Sequence, residues 1–157
     1  MGEVGIRTSE KELHARLMLL LDILQRKKSA LELIFNISEN QGVVLNANDS
    51  QSGQLFKEMS NLKQANIDEV LNFDNVFQSL FDSVKDSLED IPSDLKPLVA
   101  DIQAEIKGVM DLDYKIRLQE EINKDMYSRL TKPAKPVGVV QKERMINQYK
   151  ENSGKKK

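Results

Sequence analysis

A leucine repeat in the first quarter of the chain constrains the fold more than any other feature of the sequence. Apolar residues recur there at alternating spacings of four and three, and Lys27 interrupts the repeat once. The repeat consists of Leu13, Leu17, Leu20, Leu24, Leu31 and Ile34. This spacing is typical of the apolar face of a coiled-coil helix. Because such a face must pack against another element, the repeat predicts a bundle of helices.

Glycine, proline and polar clusters mark the ends of three predicted helices. Ser9 followed by Glu12 is a capping-box pattern at the start of the first helix, and Gly42 can end that helix. The polar stretch 46–53 predicts a loop, and Pro92 interrupts the pattern after the second helix. The predicted helices cover residues 9–41, 54–90 and 94–131. No stretch alternates like a strand, so we expect an all-α fold, an elongated antiparallel three-helix bundle or coiled coil.

The second helix carries the densest apolar stretch of the chain, and we expect the fold to depend on it. This stretch consists of Phe73, Phe77, Leu80 and Val84. The first half of the same helix is weaker, because Lys63 and Asn66 stand where the apolar face would continue. We therefore expect that half to pack less tightly.

The last part of the chain differs in composition from the rest. Residues 132–157 contain seven Lys and one Arg against two Glu, whereas residues 1–131 are net negative. Prolines and a glycine at its start leave little to bury, so we expect a Pro/Lys linker and a short amphipathic segment, flexible and separate from the 1–131 bundle. The segment lacks interleaved aromatic residues and therefore gives no sign of nucleic-acid recognition.

The sequence offers no residue pattern for catalysis, a cofactor or a metal ion. It contains no Cys, and its single histidine, His14, has no partner group at a recognisable spacing. Its seven glycines are scattered and form no phosphate-binding loop. No apolar run approaches the roughly 20 residues that span a bilayer, and no secretory signal is recognisable. We expect a cytoplasmic protein that is not an enzyme and binds other proteins.

The apolar face of the third helix drifts along its length, which indicates a surface for a partner. Its first half presents Ile102, Ile106 and Val109 on one side, and later apolar residues lie elsewhere around the helix. The candidate partner-binding residues are Leu112, Ile116, Ile122, Met126 and Leu130, together with Met145, Ile146 and Tyr149 of the C-terminal segment. A bent or supercoiled helix could instead bury the drifting residues in the core. Binding would then be sought on the flank of the first helix formed by Leu19, Ile23, Leu33 and Ile37.

Three stretches in a fixed order carry a family resemblance. They are Leu-x-x-Leu-Leu-Asp-Ile-Leu-Gln-x-Lys-Lys from residue 17, Val70-Leu71-x-x-Asp74-x-x-Phe77, and Tyr149-Lys150-x-Asn152 after the Pro/Lys linker. With them the chain resembles the flagellar type III export chaperones, specifically the FlgN-like group as found in Gram-positive bacteria. The resemblance implies a cytosolic monomer or weak dimer without a cofactor. It also implies binding of the amphipathic C-terminal helices of hook–filament junction proteins, which prevents their premature assembly and delivers them to the export gate.

Two other functions remain open on the residues alone. A structural coiled-coil assembly or scaffolding protein, without an export client, would have the same helical pattern. A binder of nucleic acid or of a membrane surface would use the basic C-terminal segment. The first should self-associate strongly without a client, and the second should bind with a steep dependence on salt.

Overall fold

The computed structural model describes residues 9–130, and nearly all of them are helical. Three long α-helices follow one another: α1 (Glu10–Ala47), α2 (Ser52–Val84) and α3 (Lys96–Leu130). Two short 3-10 helices, Lys85–Asp90 and Ser93–Leu95, connect α2 to α3 on either side of Pro92. Between residues 9 and 130 there is no strand. The prediction of an all-α helical bundle is therefore confirmed.

The chain divides into two units, residues 1–127 and residues 128–157. The bundle belongs to the first unit, and every contact described below lies within it. Of the second unit, the structure describes Ser128–Leu130, the last three residues of α3. The predicted flexible basic segment 132–157 lies outside the described residues.

Contacts between the helices give their directions. Residues early in α1 meet residues late in α2, and residues early in α2 meet residues late in α3. The defining pairs are Lys27–Asp74 and Gln41–Ser60 between α1 and α2, and Lys63–Glu120 and Phe56–Tyr127 between α2 and α3. Helix α2 is therefore antiparallel to both of its neighbours, and α1 and α3 run parallel to each other.

The start of α1 carries half of the predicted capping box. The Ser9 hydroxyl accepts a hydrogen bond from the backbone N–H of Glu12 at 3.2 Å, which satisfies one free amide of the first turn. The Glu12 carboxylate does not complete the box, because it binds the Arg16 guanidinium one turn later at 2.9 Å. The helix begins where the sequence predicts, with one of the two expected capping contacts.

The end of α1 lies beyond the predicted one. Gly42 does not end the helix, which continues to Ala47 and stops at Asn48 in a left-handed conformation, with φ of 48°. Asparagine tolerates this conformation better than most residues. The predicted loop 46–53 thus shrinks to four residues. Asp49 closes it, because its carboxylate accepts a hydrogen bond from the backbone N–H of Gln51 at 2.9 Å.

The core is centred on the leucine repeat of α1. All six residues of the repeat are 5 % exposed or less. Helix α3 and the turn before it contribute a row with a spacing of seven, which consists of Leu95, Ile102, Val109 and Ile116. Of the apolar stretch expected to dominate on α2, Val84 alone is fully buried, whereas Phe73, Phe77 and Leu80 are partly buried. The fold therefore depends more on α1 than the sequence predicts.

Truncation in the leucine repeat tests this assignment. Leu17 is 1 % exposed, so Leu17→Ala should leave a cavity and lower the free energy of unfolding by about 2–5 kcal/mol. His14→Ala is the control, because His14 is exposed on the same helix, and it should change that free energy by about 0.5 kcal/mol or less. Urea denaturation measures both. Equal effects would contradict the placement of the core.

Candidate partner-binding groove

A layer of buried polar side chains crosses the bundle where the leucine repeat ends. Ser38 and Gln41 of α1, Lys63 of α2 and Asn123 of α3 are all buried, and Lys63 is 9 % exposed. Burial of a polar group is costly unless it is hydrogen-bonded, and burial of a charge is costlier still. The layer is therefore stable only if its members satisfy one another.

The ammonium group of Lys63 is the centre of this layer. It donates hydrogen bonds to Gln41 Oε1 and Glu120 Oε2, both at 2.6 Å, and to Ser38 Oγ at 3.3 Å. An ammonium group has three donors, and all three are used here. The acceptors come from α1 and α3, so one side chain of α2 joins all three helices. Lys63, which interrupts the apolar pattern of the sequence, is thus a paired cation rather than a packing defect.

The remaining atoms of the layer are also paired. The Ser38 hydroxyl donates to Glu120 Oε2 at 2.7 Å. The Gln41 side-chain N–H groups reach α2, where they donate to Ser60 Oγ at 2.8 Å and to the backbone carbonyl of Phe56 at 3.2 Å. A network of paired polar side chains adds directional contacts to a core that is otherwise held by non-directional packing.

Between α1 and α3, the layer continues through the side-chain amides of Asn123 and Gln119. Their hydrogen bonds determine which way each amide is oriented. Asn123 Nδ2 donates to the backbone carbonyl of Ser38 at 2.8 Å, and a carbonyl can only accept. Asn123 Oδ1 must then accept, and Gln119 Nε2 donates to it at 2.9 Å. This leaves Gln119 Oε1 as an acceptor without a donor among the described residues.

Gly42 allows α1 to approach this pair of amides closely. A Cβ at position 42 would lie 3.0 Å from Asn123 Oδ1 and 3.1 Å from Gln119 Nε2. Glycine in a helix costs about 1 kcal/mol relative to alanine. The close approach is the physical reason why α1 carries a glycine here instead of ending at it.

An open groove lies between α1 and α3 beside these residues. It has a volume of about 600 Å³, and its lining consists of Glu39, Asn40, Gly42, Val43 and Asn46 from α1 and Gln119, Ile122 and Met126 from α3. Val43 is 67 % exposed and Ile122 is 52 % exposed. Among the described residues, the groove thus combines an exposed apolar strip with polar side chains.

The structure separates the candidate binding residues of α3 into three groups. Ile122 and Met126 line the groove together. Ile116 is buried and Leu112 packs against the core. Leu130 is 41 % exposed and belongs to the second unit. The other candidates, Met145, Ile146 and Tyr149, lie outside the described residues. A binding role for any of them stays a prediction.

Two spacings on α3 explain this separation. Residues seven apart keep nearly the same direction on an α-helix, which holds Ile102, Val109 and Ile116 in the core. A second apolar row has a spacing of four and turns about 40° per step. Its members on the outer side are Met110, Tyr114, Leu118 and Ile122, all 48 % exposed or more. This row crosses the outer side of α3 and reaches the groove at Ile122.

The flank of α1 that the sequence offers as an alternative binding surface does not form one continuous exposed surface. Ile37 is buried, Ile23 is partly buried, and Leu19 and Leu33 are about half exposed. The apolar pattern of α1 also continues beyond the predicted helix end. The apolar run Val43–Leu45 follows Gly42 and extends the helical pattern, and it carries Val43 into the groove.

Within residues 9–130 there is no group of three His, Cys, Asp or Glu side chains placed to hold a metal ion. His14 is exposed on α1. No helix in this part of the chain is long and apolar enough to cross a membrane.

Comparison with known proteins adds no identification. No family model matches the chain, no curated protein sequence shows significant similarity to it, and no solved structure is significantly similar to it.

Removal of the Lys63 ammonium tests the polar layer. Lys63→Met removes the hydrogen-bond donor of Gln41 Oε1 and the cationic partner of the Glu120 carboxylate, which keeps the hydrogen bond from Ser38. It should lower the free energy of unfolding by about 1–3 kcal/mol. Lys57→Met, at an exposed position of α2, is the control and should change it by about 0.5 kcal/mol or less.

A double variant then separates the ion pair from general damage. Glu120→Met in the Lys63→Met background removes the carboxylate that has lost its partner, so its cost should be smaller than in the wild type. Guanidinium denaturation of the four proteins gives the coupling. Additive losses would contradict the pairing.

Proposed function

We propose that this protein is a cytoplasmic flagellar export chaperone of the FlgN-like kind, which holds an amphipathic helix of a client. The observation that carries the proposal is the open groove between α1 and α3, with Val43, Ile122 and Met126 available to an apolar face. The resemblance in the sequence supplies the client class, the C-terminal helices of hook–filament junction proteins. Holding such a helix keeps it from assembling before it reaches the export gate.

The geometry of the groove supports a helix as the occupant. Its two walls are parallel helices, so an added helix would lie along both and pack as a fourth member of the bundle. The client would place apolar residues three and four positions apart against Val43 and Ile122. Such a complex needs no catalytic group, cofactor or nucleotide, and the proposal therefore includes no enzymatic activity.

The apolar area available in the groove suits reversible binding. Complete burial of an aliphatic side chain contributes about 1.5–3 kcal/mol, and Val43 and Ile122 have already lost part of their exposure. A complex with a Kd of 1 μM requires about 8 kcal/mol. The groove alone therefore favours an affinity weaker than this, and further contacts must come from the outer row of α3 or from the predicted binding residues of the C-terminal segment. Weak binding fits a chaperone that must release its client.

A scaffolding role is the second candidate, and the outer row of α3 favours it. Met110, Tyr114 and Leu118 are 48–65 % exposed and four residues apart, so a second copy could cover them. A scaffold would self-associate without a client, and Tyr114→Glu would dissociate the assembly. An export chaperone should be a monomer or weak dimer that forms a one-to-one complex. Light scattering during size-exclusion chromatography, with and without the client helix, distinguishes the two.

Substitution in the groove tests the chaperone proposal. Ile122→Asp should weaken binding of the junction-protein C-terminal helices at least ten-fold, because it places a charge against the apolar face of the client. Its melting temperature should stay close to that of the wild type, since Ile122 is 52 % exposed. Fluorescence anisotropy with labelled client helices measures the affinity.

Leu71→Asp is the matched control for this substitution. Leu71 is 55 % exposed in the middle of α2 and is not part of the groove lining, so the variant carries the same charge change at a similar exposure. It should bind the client as the wild type does. If Ile122→Asp and Leu71→Asp bind equally well, the groove is not the binding site. If binding and stability fall together in Ile122→Asp, this residue belongs to the core.

A further inference from the structure

The polar side chains of the groove carry information about the occupant. Among residues 9–130, its lining contains one carboxylate, Glu39, and no cationic side chain. Glu39 forms no ion pair or hydrogen bond with the described residues. Some other carboxylates of α1 and α3 are paired with a neighbour on the same helix, as Glu12 is with Arg16 and Asp113 with Arg117. Within residues 9–130, the Glu39 carboxylate is thus an exposed acceptor on the groove lining.

The opposite wall supplies a second acceptor. Gln119 Nε2 is committed to Asn123, and Asn123 is itself committed to the backbone carbonyl of Ser38. Since the carbonyl determines the orientation of both amides, Gln119 Oε1 is left as an acceptor on the groove lining. Both walls thus present an acceptor, a carboxylate on α1 and an amide oxygen on α3. The chemistry complementary to such a pair is a cationic donor, which the side chains of Lys and Arg provide.

We infer that the groove selects amphipathic helices whose apolar face is flanked by Lys or Arg, and that Glu39 is the residue that recognises the cation. This inference rests on the proposed function, because it describes the client of the same groove. The apolar strip supplies most of the affinity, and the charge supplies selectivity between helices of equal hydrophobicity. An acidic helix would place its carboxylates beside Glu39 and be rejected.

Three synthetic peptides test this selectivity with the full chain. All share one apolar face with Leu at helical spacing, and they differ at the flanking positions, which carry Lys, Gln or Glu. The wild type should bind the Lys peptide about two- to five-fold more tightly than the Gln peptide at low salt, the range expected for an exposed ion pair, and the Glu peptide most weakly. The preference should largely disappear in 1 M salt, which screens the pair, while apolar binding persists.

Charge reversal identifies the residue responsible. Glu39→Lys should invert the order of the peptides, so that the Glu peptide binds most tightly. Glu69→Lys is the matched control, because Glu69 is also an exposed glutamate within a long helix but lies on α2, outside the groove. It should preserve the wild-type order. Circular dichroism of both variants verifies that they are folded, and anisotropy measures the affinities.

The outcomes separate this inference from the proposed function. Equal binding of the three peptides, or equal effects of Glu39→Lys and Glu69→Lys, would overturn the selectivity and leave the helix-binding groove in place. Binding of junction-protein helices without binding of any of the peptides would also overturn the selectivity alone. Failure of both the peptides and the junction-protein helices to bind would overturn the inference and the proposed function together.

Discussion

The buried ammonium group of Lys63 is the interaction on which the arrangement of the bundle depends. Leucine side chains pack adequately against many neighbours, so an apolar core alone restrains sliding of one helix along another only weakly. The three hydrogen bonds of Lys63 to Gln41, Glu120 and Ser38 have direction and length. A shift of α2 by one helical turn, about 5.4 Å, would break all of them and leave a buried charge unpaired. The polar layer thus favours a single register for the three helices.

The register set by this layer also sets the geometry of the groove. Ser38 shares its hydroxyl with the Lys63 network, and its backbone carbonyl holds Asn123. Asn123 in turn holds Gln119, and Gly42 leaves the space that both amides occupy. The wall that α3 presents to an occupant is therefore tied to the centre of the bundle. A partner surface built on such support needs little reordering when it binds, which lowers the entropic cost of association.

Two functions compete for the exposed apolar residues, and they use different surfaces. The groove offers a short apolar strip between polar walls, a suitable site for one helix. The outer row of α3 lies along one helix and would suit contact with a second copy of the chain. The proposed chaperone uses the groove first and can use the outer row to extend the contact.

The sequence by itself determined the class of fold and the buried face of α1, because both depend on local periodicity. It did not determine the weight of each helix in the core, because it favoured the apolar stretch of α2. The four–three repeat of leucines identified the buried face of α1, and the break at Pro92 placed the connection between α2 and α3. The sequence also placed Ile122 and Met126 among the candidate partner-binding residues. Their spacing shows that they lie away from the apolar face of the first half of α3. The tertiary structure alone decided the roles of Lys63, Gly42 and Val43. In the sequence, Lys63 only interrupts the apolar pattern of α2, because its partner Glu120 lies 57 positions away. Gly42 alone predicts a helix end, because the sequence does not show that side chains of α3 pass within contact distance of it. Such pairings depend on which helices meet and at what level, and local periodicity carries no information about that.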